Sequence, residues 1–557
     1  MKKIFLFLII LSCNHAFAQN KFQKIYTWAS DAQCFSSHLL NDGSYVFTGI
    51  MDQNGFRLFL AKANCMGNIE WVKTYEPTNT VGNISQRVIQ NLDGGFTLAA
   101  NVGQFGDYDI FIVRTDSTGQ SIWKKKITGN GDDLVNSVIQ TPDSGFILAG
   151  YTNSYGQELG SPYRDVFVVK LDKNGNFGWS KTYGTDNNID EAFDIVQSWE
   201  GGFALCGRYI TSEAFHNFLL KTDSIGNVEF LRAYGDSSHN TTGYSIVTTP
   251  DQHYVMTGST TVMEVNFQSY GDVFLMKADE LGDTTWCKAY WSNNMNGSDI
   301  GSSVVFDQNK FSMSVATFGY PTSGFVPNKY CVMQATDLGV LTLAKIYMDQ
   351  GSHYPYLSKS VDDQGYIITG FSNFMTTPFN THVIRTDKAF STGCNETNVL
   401  SITGQAAVPF KVKSPAYVVS SPTPNIVNST VEDTVSFEIL TLCESIIDTC
   451  YLAIVDTTDT TDTTGIMLLL HQNRMRIFPN PFEETFYLTL NEDESSNALL
   501  QVYNLVGELV EEKILKLYQG ENKIPVSLSS VSEGMYILKI SVQQKQYTAR
   551  IIKQNSY

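Results

Sequence analysis

The chain has 557 residues, with 56 acidic and 38 basic residues, a net charge of −18 and 12% aromatic residues. This balance argues against nucleic acid or an anionic membrane surface as a partner, because both are bound through clustered Lys and Arg. The length predicts at least two domains or one large repeat fold, and the aromatic content argues against global disorder.

The N-terminus has the three parts of a secretory signal. Two lysines precede the apolar run 4–11, and Ala16–Ala18 offers a cleavage site with small residues. We therefore predict a signal peptide over residues 1–18. An alternative is a lipoprotein signal in which Cys13 is lipidated. No transmembrane segment is predicted, because no other stretch approaches the roughly 18 apolar residues that a membrane span requires.

A repeat with a spacing of 50 to 57 residues extends from about residue 24 to about residue 390. Each unit has a turn followed by an aromatic residue, as in Asp93-Gly94-Gly95-Phe96, and a second anchor such as Arg114-Thr115-Asp116. In the first five units a Gly comes three residues after the anchor, and an aromatic residue comes four residues later again. This regularity is typical of a solenoid or a propeller.

Each unit contains four short stretches rich in β-branched and aromatic residues, separated by Gly, Asn and Asp. In one unit these stretches are 137–140, 146–150, 165–172 and 179–183. Seven such units predict an all-β fold with a seven-bladed β-propeller over residues 19–393. A linear β-solenoid is the alternative.

The ends of the repeat region favour a closed ring. The Lys-x-Tyr signature of the fourth strand occurs first at Lys24–Tyr26, before any first strand, and it is missing after Asp387. We therefore expect the N-terminal segment to supply the fourth strand of the last blade, which removes two exposed strand edges. The Asp of the second anchor is expected to hold its own turn.

The connections between second and third strands are long and aromatic, and those that enter the first strands are acidic. The candidate ligand-binding residues are Tyr151, Tyr155, Tyr163, Tyr209, Tyr270, Tyr320, Asp133, Asp190 and Asp299. Aromatic rings beside carboxylates suit a sugar, which offers apolar C–H faces and hydroxyl groups. A peptide or a protein ligand is equally compatible with these residues. In the alternative interpretation the rings pack the loops onto the blades and the acids cap turns.

Familiar catalytic motifs are missing. The sequence contains no His-Glu-x-x-His, Gly-x-Ser-x-Gly, phosphate-binding loop or dinucleotide-binding Gly motif, and its histidines lack metal-ligand spacing. We predict no catalytic residue set, no cofactor and no metal, and favour a binding module over an enzyme. The alternative is a glycoside hydrolase or lyase with Asp133 and Asp190, on adjacent blades, facing each other across the channel mouth.

Two further segments follow the predicted ring. Residues 394–450 keep an alternating β pattern and form a β-rich bridging segment, in which Cys394 and Cys443 are candidates for a disulfide. Unpaired cysteines or pairing with Cys450 are the alternatives. Residues 451–473 contain Asp-Thr-Thr three times, which predicts a solvated linker.

The tail, residues 474–557, has the pattern of six or seven short strands in a small β-sandwich. Its ordered motifs are Ile477–Phe482, Val502–Glu508, Gly534–Lys539 and Arg550–Lys553. These motifs closely resemble the type A C-terminal sorting domain of the type IX secretion system of Bacteroidetes. The residues that carry the resemblance are Pro479, Asn480, Pro481, Gly507, Gly534, Tyr536, Lys539 and Lys553.

The resemblance implies recognition of the tail by the type IX secretion machinery and export through the periplasm and outer membrane. The protein is then expected outside the cell or on the cell surface. The repeat region resembles the propeller-like cargo often joined to this tail, which implies a fold and no defined activity.

Overall fold

The computed structural model describes residues 21–445 and 475–553, with gaps in the connections, of which the longest two are 79–86 and 318–328. The predicted signal peptide and linker lie outside the described residues. The chain forms two compact units, Met1–Val455 and Asp456–Tyr557, and each is described by itself.

The first unit consists of seven antiparallel sheets, which confirms the predicted all-β propeller blades. Each blade has four strands that follow one another from the inside to the outside of the ring. The strands of blades one to four are Ala32–Leu39, Tyr45–Asp52, Phe56–Ala63 and Ile69–Thr78; Arg87–Gln90, Phe96–Gln104, Asp107–Thr115 and Ser121–Thr128; Asp133–Gln140, Phe146–Thr152, Asp165–Leu171 and Phe177–Gly184; Ile189–Gln197, Phe203–Ile210, Phe215–Thr222 and Val228–Tyr234. The strands of blades five to seven are Thr241–Thr248, Tyr254–Thr260, Asp272–Ala278 and Thr284–Ser292; Asp299–Asp307, Lys310–Thr317, Lys329–Thr336 and Leu341–Tyr347; Tyr356–Lys359, Tyr366–Ser372, Asn380–Thr386 and Lys21–Trp28. A short hairpin, Glu264–Val265 with Gln268–Ser269, lies in a connection of blade five.

The hydrophobic core lies between neighbouring blades rather than within one blade. Phe167 and Val169 pack toward blade two, whereas the intervening Val168 packs toward blade four. A third strand is therefore buried on both faces, and it appears in the sequence as a continuous apolar run instead of an alternating one. Equivalent clusters fill the other interfaces between the described blades.

The ring closes through the N-terminal strand. Lys21–Trp28 pairs antiparallel with Asn380–Thr386, with Phe22 opposite Arg385 and Tyr26 opposite Thr381. Blades seven and one are also in direct contact, because the Thr369 hydroxyl donates to Ser37 Oγ at 3.0 Å. The expectation that the N-terminal segment supplies the fourth strand of the last blade is confirmed.

The repeated motif forms a latch between neighbouring blades. The Tyr of the fourth strand donates a hydrogen bond to a backbone oxygen of the next blade, in the turn between its third and fourth strands (the third turn of the blade). Tyr183 makes this bond to Gly226 O at 2.6 Å. Five other tyrosines make the same bond: Tyr26, Tyr75, Tyr234, Tyr290 and Tyr347. The aromatic residue of the motif covers the same turn. In the third turn of blade two, a Cβ at position 119 would lie 2.7 Å from the Trp71 ring, which is too close for any side chain. The φ of Gly119, +80°, also favours glycine.

The anchor Asp holds the same turn from within. Asp172 Oδ1 accepts hydrogen bonds from the backbone N–H groups of Asn174 and Asn176, each at 2.8 Å. Asp116, Asp223, Asp279 and Asp387 repeat this pattern in their own blades. These contacts confirm the expected structural role of the anchor.

The segment after the ring runs along the outside of the blades, and we call it the belt (residues 396–445). Its strands pair with the fourth strands of blades six, five, four, three, two, one and seven, in that order. They are Glu396–Asn398, Thr403–Ala407, Val412–Lys413, Val418–Ser420, Asn425–Asn428, Glu432–Thr434 and Phe437–Ser445. Every blade therefore gains a fifth, outermost strand, and its fourth strand is no longer the edge of the sheet.

The belt ends beside the N-terminal strand. Phe437–Ser445 pairs with Lys21–Trp28, so that this first strand lies between two antiparallel neighbours. Cys443 is opposite Gln23 in this register. The other half of the predicted disulfide, Cys394, lies outside the described residues. Cys65, in the third turn of blade one, is disulfide-bonded, whereas Cys34, Cys206, Cys287 and Cys331 are free and buried.

The second unit is a two-sheet sandwich. One sheet contains Met475–Phe478, Thr485–Glu492 and Gly520–Ser527, and the other contains Leu509–Leu517, Ser496–Tyr503, Gly534–Val542 and Lys545–Lys553. Leu488 from the first sheet packs with Leu500 and Leu538 from the second in one core. The described residues of this unit thus form seven short strands, where six or seven were expected.

Candidate functional site

The turns of the repeat lie on one face of the ring. The connections between second and third strands, and those that enter the first strands, lie on the opposite face, which we call the loop face. The predicted ligand-binding residues that the structure describes belong to the loop face by their position in the blades. Tyr270 and Tyr320 lie outside the described residues.

Asp133 is buried at the start of the first strand of blade three. Its carboxylate accepts hydrogen bonds from the Thr152 hydroxyl at 2.5 Å and the Ser154 hydroxyl at 2.9 Å. Burial raises its pKa to about 7, because removal from water disfavours the charged form. These partners hold the beginning of the connection to the third strand, so Asp133 links two parts of its own blade.

Asp190 is the equivalent residue of blade four and is also buried. It accepts hydrogen bonds from the backbone N–H and the hydroxyl of Thr185, at 2.7 and 2.9 Å, and burial raises its pKa to about 7. It borders a small, mostly apolar pocket between blades three and four, together with Tyr209 and Phe218. Asp299 is buried as well, at 1% exposure.

The described tyrosines have different surroundings. Tyr155 donates to Thr128 O at 2.9 Å and packs on Phe167, so it fastens its loop to the blade. Tyr209 is buried and stacks on His216, with ring centres 4.9 Å apart. Tyr163 and Tyr151 are half-buried. The ring of Tyr151 lies under the Arg164 guanidinium, whose carbon is 4.7 Å from the ring centre.

A cluster of charged residues joins blades three and four beside Tyr151, and we call it the arginine cluster (Arg164, Glu191 and Arg208). The buried Glu191 carboxylate lies between the two guanidinium groups. Its Oε1 is 3.0 Å from Arg164 Nη1, and its Oε2 is 2.6 Å from Arg208 Nε. Two cations around one buried carboxylate leave one positive charge in excess.

Strand register explains how the arginine cluster forms. Glu191 in the first strand of blade four is directly opposite Arg208 in the second strand. A bulge follows at Phe193, and this extra residue is pushed out of the ladder. The Arg208 guanidinium carbon lies 5.4 Å from the Phe193 ring centre and 5.5 Å from that of Phe215. This cluster could not be predicted from the loop residues, because Glu191 and Arg208 come from strands and Arg164 directly precedes one.

The centre of the ring is lined by polar contacts between successive first strands. Asp194 of blade four accepts hydrogen bonds from Ser137 of blade three at 2.7 Å and from Ser245 of blade five at 2.9 Å. Ser303 of blade six accepts one from the Leu357 N–H of blade seven at 2.9 Å. Arg87 of blade two contacts the Asn136 carbonyl oxygen and reaches Asp194. The channel is therefore occupied by side chains at this depth.

In the part of the chain that the structure describes, no three His, Cys, Asp or Glu side chains are grouped in a way that would hold a metal ion. The same residues include no helix with the length and apolar character of a membrane span.

The sandwich unit places some of the predicted sorting residues. Gly534 pairs with Lys553, and the buried Lys553 ammonium donates to Leu528 O at 2.7 Å. Tyr536 is buried and Lys539 is half-buried. Pro479, Asn480, Pro481 and Gly507 lie outside the described residues.

Solved structures align with the chain at low similarity, and three of them are described here. A polysaccharide lyase, Uly1, has 9% identity and a TM-score of 0.41, over 62% of this chain and 88% of the lyase. Dimeric latent PorU from Porphyromonas gingivalis has 10% identity and a TM-score of 0.14, over 71% of this chain and 31% of PorU. A bifunctional GH43-CE protein of Bacteroides eggerthii has 10% identity and a TM-score of 0.18, over 72% of this chain and 64% of that protein. We draw no inference about activity from these similarities. No curated protein matches the chain.

One family model matches. Residues 476–554 match the secretion system C-terminal sorting domain, and these residues form the sandwich unit described above. The match agrees with the motifs in the tail and with the two-sheet fold. The chain is thus a β-propeller repeat protein that carries a type IX secretion sorting domain, which indicates export to the cell surface or the extracellular space.

Proposed function

We propose that the protein is a binding module of the cell surface or the extracellular space, and that the loop face of its ring binds a glycan. The sorting domain supplies the export signal, and the ring is the cargo. The observation that carries the proposal is the arginine cluster, in which partly exposed guanidinium groups are stacked on aromatic rings at the loop face. Ligand-binding sites typically combine apolar surface with a few oriented polar groups, and the arginine cluster has both.

The buried state of the carboxylates supports binding over catalysis. A glycosidase needs two carboxyl groups that flank the scissile bond of a bound sugar. Asp133 and Asp190 are 0% and 4% exposed, and each is engaged by hydroxyl groups near its own strand. In this arrangement neither carboxylate is accessible to a polymeric substrate.

A glycan array and a turnover assay on the chain without its signal peptide test the proposal together. Retention of glycans without product formation supports the binding function. Product that disappears in Asp133→Asn or Asp190→Asn would instead establish a polysaccharide-acting enzyme. A wild-type protein that retains no glycan would overturn the proposal.

The sorting function has its own test. Deletion of residues 474–557 should leave a folded ring in the periplasm, because the translocon then has no signal to recognise. Fusion of residues 474–557 behind a signal peptide and a fluorescent protein should carry that reporter to the surface. Normal external levels of the truncated protein would contradict this assignment.

A further inference from the structure

We propose that the loop face binds an anionic saccharide, one that carries carboxylate or sulfate groups, and that Arg208 with Arg164 beside it holds the acidic group. This inference rests on the glycan-binding function proposed above, and it specifies the chemical class of the ligand.

Arg208 is fixed in position before any ligand arrives. Its Nε is bound to the buried Glu191 at 2.6 Å, and its guanidinium packs against Phe193 and Phe215. These three contacts restrict the rotation of a side chain that otherwise loses much entropy on binding.

The outer edge of the Arg208 guanidinium remains available. The side chain is 26% exposed, and among the described residues none accepts a hydrogen bond from either of its Nη atoms. Two parallel N–H groups in one plane match the two oxygens of a carboxylate or a sulfate, and such charge-assisted bonds are about twice as strong as neutral ones.

Arg164 adds a second guanidinium on the other side of Glu191. It is 32% exposed and stacks on Tyr151. Asp190 lies next to Glu191 in the strand, but its pKa is raised to about 7, so it carries less than a full negative charge near neutral pH. Asp132 acts electrostatically on Tyr151 and Asp165 acts on Asp190, so the acidic group of a ligand is held by the two guanidinium groups themselves and not by a general positive field.

A saccharide fits the ring better than an acidic peptide. Peptides often bind by adding a strand to an exposed sheet edge, where the backbone supplies most of the affinity. The belt pairs with the fourth strand of every blade at the outside of the ring, whereas the loop face presents strand ends and connections and not a strand edge. A ligand of the loop face is therefore recognised by side chains, and a sugar acid can be bound by side chains without any backbone pairing.

The test uses the full chain without its signal peptide and four polymers: polygalacturonate, chondroitin sulfate, neutral dextran and poly-glutamate. We expect polygalacturonate or chondroitin sulfate to bind at least about tenfold more tightly than dextran and poly-glutamate, and added salt to weaken the binding. Arg208→Gln should weaken it by about tenfold or more. It leaves Arg164 to pair with Glu191, so the buried carboxylate keeps a partner.

Two further variants control for folding. Arg232→Gln removes an arginine that also stacks on an aromatic ring, Phe230, but lies outside the arginine cluster. This variant should bind like the wild type. Arg208→Lys keeps a charge beside Glu191 but lacks the planar pair of N–H groups, so it should melt near the wild-type temperature and still lose most of the affinity.

Each other outcome overturns a defined part of the inference. Equal affinity for poly-glutamate would replace the saccharide by an acidic peptide. Binding of dextran that Arg208→Gln leaves unchanged would refute the anionic ligand and leave the glycan-binding function standing. Absence of binding to any glycan would refute both.

Discussion

Arg87 of blade two and Asp194 of blade four meet in the centre of the ring, with 3.5 Å between Nη2 and Oδ1. On the way, Arg87 Nε donates to the Asn136 carbonyl oxygen of blade three at 3.3 Å, and the guanidinium lies 4.6 Å from the ring centre of Tyr356 in blade seven. One side chain thus connects four blades.

Replacement of Arg87 should destabilise the ring strongly. Arg87→Met leaves the buried Asp194 carboxylate without its cation, which costs about 3 kcal/mol for a buried pair. Arg87→Met/Asp194→Asn should recover part of the loss, because it removes the charge as well. Thermal unfolding of both variants measures the effect. An unchanged melting temperature in Arg87→Met would show that the contact is dispensable.

The stability of Asp133→Asn relative to the wild type should depend on pH. The folded-state pKa of Asp133 is raised to about 7. The stability that a raised pKa contributes is complete below the unfolded value and is lost as pH rises through the folded value. The side chain of the Asp133→Asn variant cannot ionise. The free energy of unfolding of this variant, relative to that of the wild type, should therefore rise by on the order of 1 kcal/mol per pH unit between about pH 5 and pH 7.

Burial lowers the pKa of His38 to about 4, and this group makes the stability of the fold rise with pH, opposite to the effect of Asp133. The variant is therefore compared with the wild type at each pH, because both contain His38. Asp143→Asn is the matched control. Burial raises and hydrogen bonds lower the pKa of Asp143, to about 2 overall, so this group is ionised throughout the range. Its difference from the wild type should stay constant. A constant difference for Asp133→Asn would disprove the prediction.

The inter-blade latch can be tested at a single hydroxyl. Tyr183→Phe removes the donor of a buried hydrogen bond to Gly226 O and leaves that oxygen without this bond, at a cost of about 1–2 kcal/mol. The melting temperature should fall by a few degrees. Tyr163→Phe, at a half-buried tyrosine of the loop face, should melt like the wild type. Equal melting of both variants would argue against the latch.

Removal of the belt should weaken the ring and make it associate. A chain that ends at Gly393 exposes the outer edges of the blades and deprives Lys21–Trp28 of its second neighbour. A chain that ends at Ser445 keeps all of these pairings. Thermal melting and size-exclusion chromatography compare the two, and we expect aggregation only in the shorter chain. Identical behaviour would mean that the belt contributes nothing to stability.

The blades could be predicted from the sequence because each repeat restates the same constraints. At position 119 both the positive φ and the close approach of Trp71 require glycine, and Tyr183 occurs in the repeat because it bonds to the neighbouring blade. The β character of residues 394–450 could be predicted from their alternating pattern, but their pairing with the fourth strand of every blade could not. Strands as short as Val412–Lys413 pair through backbone groups, and such pairing leaves no side-chain pattern that names the partner strand.

The candidate site was predicted in part. Tyr151 does lie against the partly exposed Arg164, but the pairing of Glu191 with Arg208 depends on a bulge that shifts the register by one residue. A bulge has no reliable sequence signal, so the cluster emerges only from the fold.

The position of Lys21–Trp28 also sets the timing of folding. Lys21 pairs with Asp387, which follows it by 366 residues. This strand is made before its partners in the ring and is therefore among the last to be paired, and contacts of such long range form slowly. Until residues 380–445 have been made, this apolar strand needs protection from aggregation. Completion of the ring is thus a late, single event, and the sorting domain comes after it in the chain.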